Sequence, residues 1–130
     1  MPVTDKLAIL ERLYEVYGTF SAGLRVACVQ GCAACCTQNV TMTTLEGYRI
    51  IQRLIATEQT HLLQRLHQSP SVTRFQPAIS TNELAALCIE GKDPPEEETD
   101  AAPAPCPFLS NDACLIYADR PFGCRCFLSA

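Results

Sequence analysis

Apolar residues recur at helical spacing along residues 5 to 21, where Leu7, Leu10, Leu13, Tyr14, Tyr17 and Phe20 make one stripe. This predicts an amphipathic helix with a single core-facing side, capped by Thr4 or Asp5. A dimer seam has the same signature over three turns. "TTLEGYRIIQRLI" opens with Thr43-x-x-Glu46, a capping box in which each side chain satisfies a backbone N–H of the first turn, so a helix is expected from Thr44 to Ala56. "TEQTHLLQRLHQ" continues the helical pattern, either as the same helix bent near Thr57 or as a second one ending before Pro70. His61 and His67 in it are six residues apart, a rotation of about −120° on a helix, so they share no face and read as solvent-facing. "STNELAALCIEG" repeats the capping box at Ser80-x-x-Glu83 and places Gly91 where a helix C-cap belongs. Cys88, inside that helix, reads as a small buried hydrophobe.

The periodicity then stops. Residues 92 to 105, "KDPPEEETDAAPAP", carry four prolines and an acidic run, the composition of a loop or linker; the acids lack the glycine turn and ordered spacing of a calcium loop. "PFL" and "CLIY" flank "SNDA", which suggests a small β-hairpin turning at Asn111–Asp112, and "DRP" bends the chain after it. The expected fold is mainly α: a small helical domain with an irregular, cysteine-rich metal-binding loop region and a short hairpin. The two cysteine-bearing loops, separated by helices, are expected to close on each other.

At 130 residues the chain fits a single domain, spanning 1–130 with 92–105 as a loop within it. No apolar run approaches the roughly 18–20 residues needed to cross a bilayer, so no membrane role is expected. The start, "MPVTDKLAIL", lacks the basic, apolar and small-residue regions of a signal peptide, and a cytoplasmic setting with reduced thiols follows. Net charge is −4, but Asp93, Glu96, Glu97, Glu98 and Asp100 supply five of the fourteen acids, leaving nine against ten bases. The body is near neutral and has no basic surface for nucleic acid.

Nine cysteines in such a chain change the picture. Their odd count and the expected compartment both oppose a disulfide framework. Apart from Cys88 they fall into two groups of four: Cys28, Cys32, Cys35 and Cys36 in "CVQGCAACC", then Cys106, Cys114, Cys124 and Cys126. Short gaps let one loop wrap several sulfurs around a centre, and soft thiolates select zinc, copper(I) or iron–sulfur clusters over magnesium or calcium. Neighbouring side chains usually point apart, so adjacent Cys35 and Cys36 are not expected to serve one mononuclear ion together. Two tetrahedral zinc sites would use all eight cysteines; one 4Fe-4S cluster would use four. Four thiolates around a dipositive centre leave a charge of about −2, which Arg120 and Arg125, bracketing Cys124, are placed to offset while donating hydrogen bonds to sulfur.

"CVQGCAACC", "TTLE", "CPFL", "CLIY", "RP" and "CR", in that order from Cys28 to Cys126, resemble the YkgJ-type or CxxCxxCC family, a zinc- or iron-chelating cysteine-cluster domain. The resemblance implies metal binding by Cys28, Cys32, Cys35, Cys36, Cys106, Cys114 and Cys124, with Cys126 and Cys88 outside the general pattern. A similar cluster occurs in flagellin lysine N-methylases, where it is associated with iron–sulfur chemistry; this chain lacks the additional length of those enzymes.

Other uses of the thiols lack a second component. Cys28-x3-Cys32-x2-Cys35 has the spacing of radical enzymes that use S-adenosylmethionine, but not their barrel-length chain or the aromatic residue usual at the position of Ala34. Cys32-x-x-Cys35 sits outside any strand-to-helix setting of a thiol oxidoreductase, and a cysteine hydrolase would have to draw its base from His61 or His67. Two expectations remain: a metal-binding module holding zinc or iron through two cysteine groups, with a metal ion as its partner, or an iron–sulfur enzyme component for electron or methyl transfer. The absence of an acid–base pair, phosphate loop or cofactor fingerprint favours the module.

Overall fold

The computed structural model describes residues 1–27, 29, 31–69, 76–97 and 104–128. Cys28, Glu98 and Asp100 lie outside this set, so expectations that fall on them have no structural counterpart here. The described chain is mainly helical: α1 (Val3–Ala22), α2 (Thr44–Ala56), α3 (His61–Gln68), α4 (Thr81–Glu90) and the single-turn α5 (Phe122–Cys126). A two-stranded antiparallel hairpin, β1 (Leu109–Ser110) with β2 (Ala113–Cys114), and a 3-10 turn at Tyr117–Asp119 precede α5. Among the described residues no helix is long and apolar enough to cross a membrane.

Local chemistry explains the boundaries. Thr43 caps α2 and Ser80 caps α4, each with the reciprocal glutamate bond of a full capping box. Gly91 ends α4 in the left-handed conformation, which costs glycine no Cβ clash. Glu58 takes positive φ just after α2, so α3 is a separate helix and not a bent continuation. Asn111 and Asp112, both at positive φ, form the two-residue turn that pairs Leu109 with Cys114 and Ser110 with Ala113.

Three expectations are corrected. Helix α1 begins at Val3 with Pro2 in the N-cap position and no side-chain cap, so Thr4 and Asp5 lie inside the first turn. There the Asp5 charge complements the helix dipole. The α1 stripe is not one core face: Leu10 and Tyr14 are buried, but Leu13 is 51% and Phe20 62% exposed. Among the described residues, the Tyr14 and Tyr17 rings of α1 contact Phe122 of α5, while Leu13 and Phe20 are left exposed with Ile9 and Val16. Cys88 is exposed, because α4 buries none of its residues. His61 and His67 are exposed, as expected.

The core consists of Ile50 and Leu54 of α2, Leu62 of α3, Phe108 before the hairpin and Ile116 after it. Cys106 and Cys114 pack against this cluster. Burying such side chains is worth about 1.5–3 kcal/mol each, so the same apolar contacts that fold the chain also fix two of the thiols. Arg65 of α3 strengthens the junction by donating to the carbonyls of Pro107 (2.6 Å) and Leu109 (3.0 Å).

Candidate metal centre

The two cysteine blocks meet through their backbones. Thr37 and Pro105 form an antiparallel bridge, Gln38 N–H donates to the Ala104 carbonyl at 2.8 Å, and Cys106 N–H donates to the Cys36 carbonyl at 2.9 Å. The loop carrying Cys32, Cys35 and Cys36 is thereby laid beside the segment entering the hairpin. Cys114 occupies a paired position of β2, and Cys124 lies in the middle of α5.

These six thiols line one cleft of about 750 Å³, whose other walls include Tyr17, Met42, Leu66 and Arg120. Cys36, Cys106, Cys114 and Cys124 are part-buried, whereas Cys32 and Cys35 are exposed. The inner four influence one another electrostatically. The Cys124 thiol is raised to about 11, chiefly by burial and then by Cys106, Cys114 and Cys36, while Arg120 opposes them. Burial also raises the Cys36 thiol, reinforced by Cys35, Cys114, Cys106 and Cys32. Burial raises the Cys114 thiol against a hydrogen bond with the Ile116 backbone. Such a group is costly to ionise alone and suited to a cation that stabilises several thiolates at once.

The remaining candidates are placed differently. Cys126 is exposed and is not part of the cleft lining. Arg120 lines the cleft with its guanidinium 3.7 Å from the Tyr117 ring centroid and its Nε donating to the Tyr117 carbonyl. Arg125 also borders the cleft, but two of its N–H groups donate to the carbonyls of Arg120 and Ala118, and its guanidinium lies 4.1 Å from the Tyr14 ring centroid. Its evident work is to brace α5.

Two supporting residues were not legible as such from the sequence. Glu46, only 4% exposed, accepts from Phe122 N–H at 2.6 Å and from the Tyr14 hydroxyl at 2.9 Å, in addition to its capping-box bonds. Gly123 lets α5 lie on the chain leading into α2, since a Cβ there would stand 2.8 Å from the Thr41 carbonyl oxygen. A glycine directly before Cys124 was the available signal for close backbone approach.

A family model described as "Putative zinc- or iron-chelating domain" matches residues 27–130, which takes in every cysteine of both blocks. The chain belongs to this CxxCxxCC family. Neither the curated proteins nor the solved structures yield a match. The donor set suits a soft or borderline metal: thiols from distant segments, on one cleft, with no competing imidazole among the lining residues. Among the described residues no three cysteine, histidine or carboxylate side chains converge tightly enough to hold one ion. The CxxCxxCC thiols are therefore gathered but not drawn in to a common point.

Proposed function

We propose that this domain chelates zinc or iron through Cys28, Cys32, Cys35, Cys36, Cys106, Cys114 and Cys124, with the exposed Cys126, off the cleft, outside the set. The observation that supports this reading is that six of these thiols, from two blocks about seventy residues apart in the chain, line a single cleft. Cys106 stands in the segment entering the hairpin, Cys114 on the hairpin and Cys124 on α5, and Cys36 is tied to them by the Cys106 N–H bond. Cys32 and Cys35, the exposed thiols of the loop, would close over this platform when metal binds. A bound metal ion would supply the positive charge that makes the raised thiols into thiolates. Arg120 offsets the excess negative charge, and the ligand set joins the two blocks so that chelation adds to folding stability. A cytoplasmic setting suits this role, because its thiols remain reduced.

The experiment is zinc and iron uptake by the reduced full-length chain, with free thiols counted before and after. Uptake with protection of at least four thiols supports the reading; no uptake, or uptake with all nine thiols still reactive, defeats it.

A second reading makes the centre an iron–sulfur cluster, in a component for electron or methyl transfer. It is favoured by the size of the cleft and by a thiol count that exceeds the four needed for one tetrahedral ion. Acid-labile sulfide in proportion to iron, with a brown chromophore, selects it over mononuclear chelation.

A further inference from the structure

We propose that Glu46 is a positioning residue for the metal centre: its carboxylate fixes α5, and with it the Cys124 thiol, against the platform that carries Cys36. This rests on the chelation reading above.

The comparison that isolates this role lies within the chain. Glu83 of α4 occupies the same capping-box position, with Oε2 accepting from Ser80 N–H at 2.7 Å and from the Ser80 hydroxyl at 2.8 Å. Among the described residues it accepts nothing more, and it is exposed. Glu46 repeats those bonds with Oε2, taking Thr43 N–H at 2.8 Å and the Thr43 hydroxyl at 2.9 Å. Its Oε1 is then used between elements, for the Tyr14 hydroxyl of α1 and the Phe122 N–H that opens α5. A cap needs neither bond. Burying a carboxylate that only caps a helix would be unfavourable, and the two extra donors are what make its burial tolerable.

Phe122 stands two residues before Cys124, in a helix of one turn. So short a helix has almost no internal hydrogen bonding to hold it in place. Its position is set from outside, by Glu46 on the Phe122 N–H, by the approach of Gly123 to the Thr41 carbonyl, and by Tyr14 stacked on Phe122 at 6.0 Å. Thr41 and Thr43 follow Cys36 in the same stretch of chain. The carboxylate thus relates the Cys36 and Cys124 segments by bonds that do not involve sulfur.

A double-mutant cycle tests this in the full chain, using zinc affinity measured against a chromophoric chelator and the sulfur-to-metal absorption of the cobalt(II) complex. In Glu46→Gln the side-chain amide can accept at only one oxygen position and turns an N–H toward donors at the other. The variant should lose about tenfold to a hundredfold in zinc affinity, and its cobalt spectrum should show one thiolate fewer. In a Cys124→Ser background the same change should alter affinity by less than about twofold, while in a Cys32→Ser background its full effect should persist. Equal effects in both backgrounds would mean a general structural role and overturn the proposal, as would an unchanged affinity. If Glu46→Gln is not folded, Tyr14→Phe replaces it in the cycle, removing one Oε1 donor and keeping the ring, with the same pattern expected at smaller size. A wild-type chain that binds none of zinc, cobalt and iron defeats the chelation reading itself, an outcome distinct from normal binding that is insensitive to residue 46.

Discussion

The backbone N–H of Cys106 donates to the carbonyl of Cys36 at 2.9 Å, joining the two cysteine blocks by an ordinary main-chain bond. On the chelation reading, a metal would not have to find its ligands across the whole chain, only to draw in thiols that folding has already assembled. Loss of one platform ligand should then cost both metal and stability. Cys106→Ser and Cys32→Ser should each retain markedly less zinc or iron than wild type, read by elemental analysis after dialysis. Cys88→Ser, altering an exposed thiol on α4, should match wild type. Full metal content in both of the first two variants would refute the ligand assignment.

The Glu46 carboxyl predicts an acid limb in the stability of the metal-free chain. Burial raises its pKa, but hydrogen bonds from the Phe122 and Thr43 N–H groups and from the Tyr14 and Thr43 hydroxyls outweigh this and leave it below the usual glutamate value. A folded-state pKa below the unfolded one stabilises the fold fully above the unfolded pKa, near 4.3, and the contribution disappears as pH falls through the folded value. Urea unfolding at pH 7 and pH 3.5 should show wild type losing more stability over that interval than Glu46→Gln, which starts lower at pH 7. Some slope should survive in the variant, because the Arg49 hydrogen bond likewise holds the Glu11 carboxyl low. Equal slopes would contradict the assignment.

Gly123→Ala places a methyl group 2.8 Å from a backbone oxygen that no side-chain rotation can move. The expected cost is about 1–3 kcal/mol in the metal-free chain, measured by chemical denaturation. Gly18→Ala is the control, since a Cβ there meets nothing within 4 Å. Within helix α1 it should be neutral or stabilising by up to about 1 kcal/mol.

Two ion pairs separate position from mere presence. The Arg12 side chain is 76% exposed beside Glu15, and its replacement by glutamine should change stability by less than about 1 kcal/mol. Arg49, 12% exposed, bonds both Glu11 and Asp119 and lies over the Tyr14 ring, joining α1, α2 and the turn before α5. Arg49→Gln should cost about 1.5–3 kcal/mol, because charged partners lose hydrogen bonds in a half-buried place. Thermal melts of the two variants side by side decide it; equal shifts would show that the Arg49 network carries no special weight.

Where a short motif contains its own physics, the sequence was sufficient. Thr43 and Glu46 delimited α2 correctly from Thr44 to Ala56, and Asn111–Asp112 located the hairpin turn, because capping and positive φ are settled within four residues. Periodicity said less. Along α1 the series Leu10, Tyr14, Tyr17 and the series Ile9, Leu13, Val16, Phe20 are both helical, and only the placement of α2 and α5 decides which is covered. Cys88 looked buried because its neighbours are apolar, yet among the described residues nothing covers it, and α4 buries none of its residues. The cysteine spacing named the candidate ligands and not their grouping, since the bonds between residues 36–38 and 104–106 depend on three intervening helices. Glu46 was read as a cap, and its bond to a backbone N–H 76 residues away had no local signature.

The most direct measurement is the zinc, iron and acid-labile sulfide content of the full chain purified without oxygen, with a visible spectrum of the same sample. At least one equivalent of zinc or iron per chain, lost in Cys106→Ser, is the result expected of a cysteine-ligated centre. A chain that carries neither metal, and takes up neither when reduced and titrated with each, would contradict it.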